Sequence, residues 1–170
     1  YGNVWVGGVN ILRGRALNIV YDLDGVLNQI NEFVFNSLGI ANKLNLTYYN
    51  IFNNTHILSG DEMDKIIEMY NNPDAFRMAR PVNGVHRILD ILDKPDYNVN
   101  VYVHSLCYNQ GVRKEKEKWL RKYVGIPKNR MILEVGGNKS VLETVDIIVE
   151  DCLANIINSK AMVAKVLIDK

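Results

Sequence analysis

The sequence predicts an α/β fold: a doubly wound parallel sheet with helices on both faces and a small helical cap inserted after the first core strand. Three observations carry that expectation. Segments such as "VNVYV", "VDIIV" and "AMVAKVLI" are short, rich in valine and isoleucine and apolar on both faces, as strands inside a parallel sheet are. Helical patterns alternate with them, as strand, crossover helix and strand do. Between the first strand and the helix after Pro81 lie roughly fifty residues, against the 2–6 usual for a βα loop, so that stretch needs structure of its own.

In order along the chain, residues 1–17 form an N-terminal extension. Its "NVWVGGVNIL" alternates apolar residues around Gly7 and Gly8 and could make a hairpin, since paired glycines tolerate positive φ. The core is expected at 18–27 and 80–170, and the cap at 28–79. "NIVYD" is the first strand. In the cap, "NQINEFVFNSLGIANKLNL" and "SGDEMDKIIEMYNN" read as helices, with Ser59 or Asp61 capping the second. "GVHRILDIL" and "GVRKEKEKWLRKYV" are helices flanking the strand "VNVYVHS". The charge-dense second one carries Val112, Trp119, Leu120 and Val124 on one side and reads as amphipathic, with a solvated charged face rather than a nucleic-acid patch. "NRMILEV" and "VDIIVED" are strands, "LANIINSK" a helix and "AMVAKVLID" the last strand.

The 170 residues suit one domain. With 48% hydrophobic and 23% charged residues and a net charge of +1, the composition shows no bias toward nucleic acid or membrane. No run reaches the length of a membrane span and no secretory leader is visible. Cys107 and Cys152 are far apart and outside any metal-type spacing, so a reduced, cytoplasmic protein without a zinc site is expected.

In an open parallel sheet, ligands bind beyond the carboxyl ends of the strands. Asp22 and Asp24 follow the first strand, Ser105 follows "VNVYV", Lys139 lies in "GGNKS", and Glu150 and Asp151 end "VDIIVED". Groups distant in sequence should therefore converge on one pocket. Carboxylates in one pocket repel unless cations neutralise them; Mg²⁺ and a lysine would do so, and such a site commonly serves phosphate esters. Asp22 could then attack phosphorus, and Asp24 could move protons to the leaving group and from water. Ser105 would hold phosphate oxygens, Lys139 would offset charge, and Asp151 would complete the metal site.

The same residues resemble a family. "DLDGVL", the lone serine after the second core strand, "GNKS", and "DIIVED" followed by "LANI" look like the four ordered motifs of the Rossmann-like haloacid dehalogenase (HAD) phosphohydrolases. "YDLDGVL", the "PxxG" at Pro81 to Gly84 and the "KxxW" at Lys116 to Trp119 are similar to the 5'(3')-deoxyribonucleotidases. The resemblance implies a Mg²⁺-dependent phosphatase of nucleoside monophosphates. Asp22 would be nucleophile and metal ligand, and Asp24 acid/base and a metal ligand through its carbonyl. Ser105 and Lys139 would lie on phosphate and Asp151 on Mg²⁺. It also points to Phe33 and Phe76 as rings that meet the nucleoside, while Arg77 and Arg80 could reach a phosphate or a sugar hydroxyl. The expected partner is a small phosphate ester, not a nucleic acid or a membrane; a homodimer stays open. Another phosphate ester, such as a sugar phosphate, or a phosphate-binding module without turnover, are the alternative readings. Two positions depart from the family pattern: Gly136 and Gly137 replace an acidic residue before "NKS", and Glu150 stands where aspartate is usual. Neither is expected to abolish activity. His104, pointing away from Ser105 along the strand, is expected to pack, and Asp146 to be structural.

Overall fold

The computed structural model describes residues 15–43, 57–92, 98–137 and 139–168. The expected N-terminal hairpin and the cap residues Tyr48, Tyr49, Phe52 and His56 lie outside the described residues.

Five parallel strands form one sheet in the order β3-β2-β1-β4-β5. They are β1 (Leu17–Tyr21), β2 (Val99–Cys107), β3 (Met131–Val135), β4 (Ile147–Glu150) and β5 (Ala164–Leu167). β1 is central, pairing Ile19 with Val101 on one side and with Ile147 on the other. The strand order reverses at β1, so the carboxyl end of β1 opens onto the crevice where such sheets bind ligands. β2 has its inward residues Val101, Val103, Ser105 and Cys107 buried beneath helices. "AMVAKVLI" differs from expectation: β5 is an edge strand, half-covered at its ends, with Lys165 and Val166 exposed. Its apolar run is fully packed on neither face.

Helices α1 (Ile30–Ser37), α2 (Gly60–Asn71) and α3 (Pro73–Met78) lie between β1 and α4 (Val85–Leu92). α1 is much shorter than its sequence pattern. Gly39 takes φ +67°, its N–H bonds Asn36 O, and the Ile40 N–H bonds Phe35 O. This left-handed glycine cap terminates the helix before the apolar pattern runs out. α2 is capped by Ser59, not Asp61. The Ser59 hydroxyl accepts the Glu62 N–H while the Glu62 carboxylate accepts the Ser59 N–H at 2.9 Å, a reciprocal cap. The chain enters and leaves this helical stretch side by side: Gln29 N–H bonds Arg80 O, and Val82 N–H bonds Leu27 O.

α5 (Gln110–Tyr123) packs against α3 on one side and β2 and β3 on the other. Val112, Lys116, Trp119 and Leu120 form its buried stripe. Toward α3, Trp119 Nε1 donates to Ala79 O at 2.8 Å and Asn109 Nδ2 donates to Asn71 O at 2.8 Å. α6 (Leu153–Asn158) covers β4 and β5. At the opposite end of the sheet from the crevice, the Asp146 carboxylate takes both Arg15 guanidinium nitrogens and the Asn18 N–H. Its pKa lies below the usual carboxylate value because these bonds outweigh the effect of burial. Asp146 thus anchors the start of β1 to the start of β4.

Candidate active site

Asp22 leaves β1 with its N–H bonded to Val149 O at 2.8 Å and is 6% exposed. Lys139 reaches it from the loop after β3: Nζ lies 2.6 Å from Asp22 Oδ1 and 2.7 Å from Glu150 Oε2. The other Glu150 oxygen accepts the N–H groups of Asp151 and Cys152. Asp22, Glu150 and Asp151 each present a carboxylate oxygen within 4.8 Å of the others. Three carboxylates cluster here, and two of them share the Lys139 ammonium. Burial first, then Glu150, Asp24 and Asp151, push the Asp22 carboxyl up to about 8 despite Lys139. Burial works against the Lys139 ammonium, but Asp22 and Glu150 outweigh it and hold it above its ordinary value. A hard divalent cation with oxygen ligands fits this donor set and its surplus negative charge.

Asp24 sits two residues on, in a different environment. Gly25, at φ +79°, turns the chain there. The buried Asn28 side chain holds the turn: Oδ1 accepts from Gly25 and Ile30, and Nδ2 donates to Asp24 Oδ1 at 3.1 Å. The other Asp24 oxygen bonds Lys116 Nζ, with the Ser105 hydroxyl 3.5 Å away. The structure therefore brings Asp22, Asp24, Ser105, Lys139 and Asp151 to one end of the sheet. Asp22 faces the acidic cluster, and Asp24 faces a buried lysine.

Four contributors to this geometry escaped sequence reasoning. Lys116 hides in a charge run, although its spacing from Val112 and Leu120 places it on the apolar stripe. Glu150 is placed at the pocket by the sequence but given no role there, yet it binds Lys139 directly. Asn28 gave no signal beyond following the aspartates. Glu134 on β3 accepts both His104 Nε2 at 2.7 Å and the Ser140 N–H at 2.9 Å, pinning the residue after Lys139. These bonds, against the opposing effect of burial, draw the Glu134 carboxyl down to about 2, while burial holds the His104 imidazole below its ordinary value. Gly136 and Gly137, at φ +74° and +69°, turn the loop back toward this clamp. The acid absent from the loop thus has a counterpart on the strand.

The two candidate rings do not behave alike. Phe33 is half-buried on α1, against the core. Phe76 is 1% exposed, with the Lys116 ammonium 4.6 Å from its ring centroid, which leaves no ring surface for a base to stack on. Among the described residues, Tyr108 just beyond β2 presents an open ring, 41% exposed. It lies 6.1 Å from the buried Tyr70 ring, whose hydroxyl bonds Asn31 Oδ1 at 2.5 Å. Burial, then the Asp24 charge, raise both tyrosine pKa values. Arg77 is exposed and paired with Asp74 at 2.9 Å.

No helix among the described residues is long and apolar enough to cross a membrane. Comparison with solved structures finds a haloacid dehalogenase-like family hydrolase from Streptococcus pneumoniae, 12% identical, with 88% of this chain and 83% of that one covered at a TM-score of 0.53. A candidate phosphatase from Clostridium difficile is 16% identical, with 86% and 81% covered at a TM-score of 0.50. Both support the fold. Comparison with curated protein sequences gives no match. The sequence model of one family, described as "5' nucleotidase, deoxy (Pyrimidine), cytosolic type C protein", matches residues 15–170. The chain belongs to this 5'-nucleotidase family of HAD-fold phosphoric monoester hydrolases.

Proposed function

We propose that the protein is a Mg²⁺-dependent phosphatase of nucleoside monophosphates, deoxyribonucleotides in particular, that works through an aspartyl-phosphate on Asp22. The observation that carries this reading is the unequal setting of two carboxylates two residues apart. Asp22 lies on Lys139 beside two further acids, whereas Asp24 lies on Lys116 and Ser105. Paired titratable groups in contrasting environments are the mark of divided catalytic roles. The family supports the nucleotide and the deoxyribose.

Asp22, Glu150 and Asp151 would hold the cation together with the Asp24 carbonyl. When bound, Mg²⁺ supplies neutralising charge for the carboxylates and the substrate's phosphate oxygens. An Asp22 carboxylate oxygen attacks phosphorus as the bond to the leaving oxygen breaks. Asp24 gives that oxygen its proton, then takes one from the water that attacks the phosphoenzyme and releases phosphate and free Asp22. Lys139 offsets charge on the nucleophile, and Ser105 donates its O–H to a phosphate oxygen. Tyr108, rather than Phe76, is the ring placed to meet the nucleoside. The family's cytosolic type supports a cytoplasmic setting.

Phosphate release would be measured on nucleoside monophosphates and sugar phosphates with and without Mg²⁺, for the native chain and Asp22→Asn. Mg²⁺-dependent release from nucleotides, lost in the variant, is expected. Release from sugar phosphates alone would reassign the substrate. Release from no ester would reduce the protein to a phosphate-binding module.

A further inference from the structure

Lys116 is 1% exposed, and its ammonium spends all three donors inside the protein. It bonds the Asp24 carboxylate, Ser105 Oγ at 3.0 Å and Leu106 O at 2.6 Å, with the Phe76 ring beneath it. A buried ion pair is a poor way to stabilise a fold, since well-packed apolar side chains of similar volume do as well or better. Its partners here are two groups with tasks in the reaction, which asks for another explanation.

Each bond removes a degree of freedom. Asp24 has one oxygen on Lys116 and the other on Asn28 Nδ2, so its carboxyl plane is held from both sides. Ser105 has a single hydrogen; because its oxygen accepts from Lys116, that hydrogen is left to donate, and its partner here is the same Asp24 oxygen at a long 3.5 Å, a bond weak enough for a phosphate oxygen to replace. The backbone carbonyl of Leu106 and the Phe76 ring hold the ammonium in turn. Phe76 belongs to α3, so the helical stretch between β1 and α4 is wired to the reaction centre through this cation.

We infer that Lys116 is a positioning residue for proton transfer: it aims the Asp24 carboxyl at the leaving oxygen and sets the direction of the Ser105 O–H. With its donors spent, it does not touch phosphate. The inference rests on the phosphatase reading above. It predicts that losing Lys116 harms esters whose leaving oxygen needs a proton far more than esters whose leaving group departs as a stable anion.

The test compares a nucleoside monophosphate, or the best alkyl phosphate found for the native chain, with p-nitrophenyl phosphate. The native protein, Lys116→Met and Lys116→Gln would be assayed with Mg²⁺, and folding checked by thermal unfolding. General acid–base assistance contributes about 10²–10⁴-fold. In the Lys116→Met protein, kcat on the alkyl ester should therefore fall at least about 100-fold and on the nitrophenyl ester less than about 10-fold. Ser105→Ala added to Lys116→Met should cost less than it does alone. Equal losses on the two esters, or none, would overturn the inference. So would failure of both variants to fold, which would make Lys116 a stability residue alone. A native chain that hydrolyses neither ester overturns the phosphatase reading itself, a separate result.

Discussion

Replacing Lys139 with alanine removes the cation bonded to both Asp22 and Glu150. At 2.6 and 2.7 Å, each contact is worth about 6 kcal/mol of Coulomb energy at an effective dielectric near 20. Most of this is offset by desolvation, but the two acids stay buried when the lysine leaves, and stranding buried charge costs about 3–5 kcal/mol. For a chain of this size that is a fall in Tm of roughly 6–20 °C. The pH dependence follows from Asp22. A carboxyl raised from 3.8 to about 8 gives stability that is fully present below its unfolded value and is lost as pH rises through the folded one. Lys139 pulls that folded value down, so its removal extends the loss to higher pH. Without metal, the deficit of Lys139→Ala should be larger at pH 9 than at pH 5. Added Mg²⁺ should raise the Tm of the variant more than that of the native chain, because the cation replaces the missing positive charge. Scanning calorimetry in EDTA and in Mg²⁺ at both pH values measures all of this. An equal deficit at the two pH values, with no extra response to Mg²⁺, would refute the reasoning.

Glu134→Gln should flatten the acid limb of the stability curve: a carboxyl held near 2 gives stability present above its ordinary 4.5 and lost as pH falls toward 2. Urea unfolding from pH 6 to pH 2 would show it, and identical native and variant profiles would contradict it. Gly111→Ala puts a Cβ 2.8 Å from Pro73 Cγ, so α5 and α3 must separate, costing about 1–3 kcal/mol by overpacking; an unchanged Tm would show that the contact gives freely. Ser59→Ala breaks the reciprocal cap of α2 and should cost about 1 kcal/mol, read as a shifted denaturation midpoint at constant slope.

The parallel sheet and the convergence of Asp22, Asp24, Ser105, Lys139 and Asp151 were legible because strands of branched apolar residues announce themselves and the polar groups stand at or beyond their carboxyl ends, although β2 runs on to Cys107 and holds Ser105 within it. What escaped depends on contacts across the sheet or between layers. Lys116 reads as one more charge among neighbours such as Lys114 and Lys118; only its place on the Val112 and Leu120 stripe marks it as buried. Glu134 becomes a clamp only once β3 is set beside β2 and the diglycine loop folds back. Phe76 is a candidate ring for substrate by resemblance alone, which says nothing about which face is covered, and here Lys116 of α5 lies over it. The length of α1 was overread because an apolar pattern continues past Gly39, where the backbone does not.

β1 is both the first of the described strands to be synthesised and the middle strand of the sheet. Its two neighbours come late: β2 follows the whole helical stretch, and β4 follows β3. Asp22 and Lys139, which share a hydrogen bond, are 117 positions apart. During synthesis β1 therefore has both edges unpaired until most of the polypeptide has been made, while the helices after it form from local contacts. Such non-local pairing makes folding slow and leaves apolar edges exposed to other chains. A polypeptide stopped before Ile147 would have half of its central strand unsatisfied, so early termination yields aggregation rather than a smaller working protein.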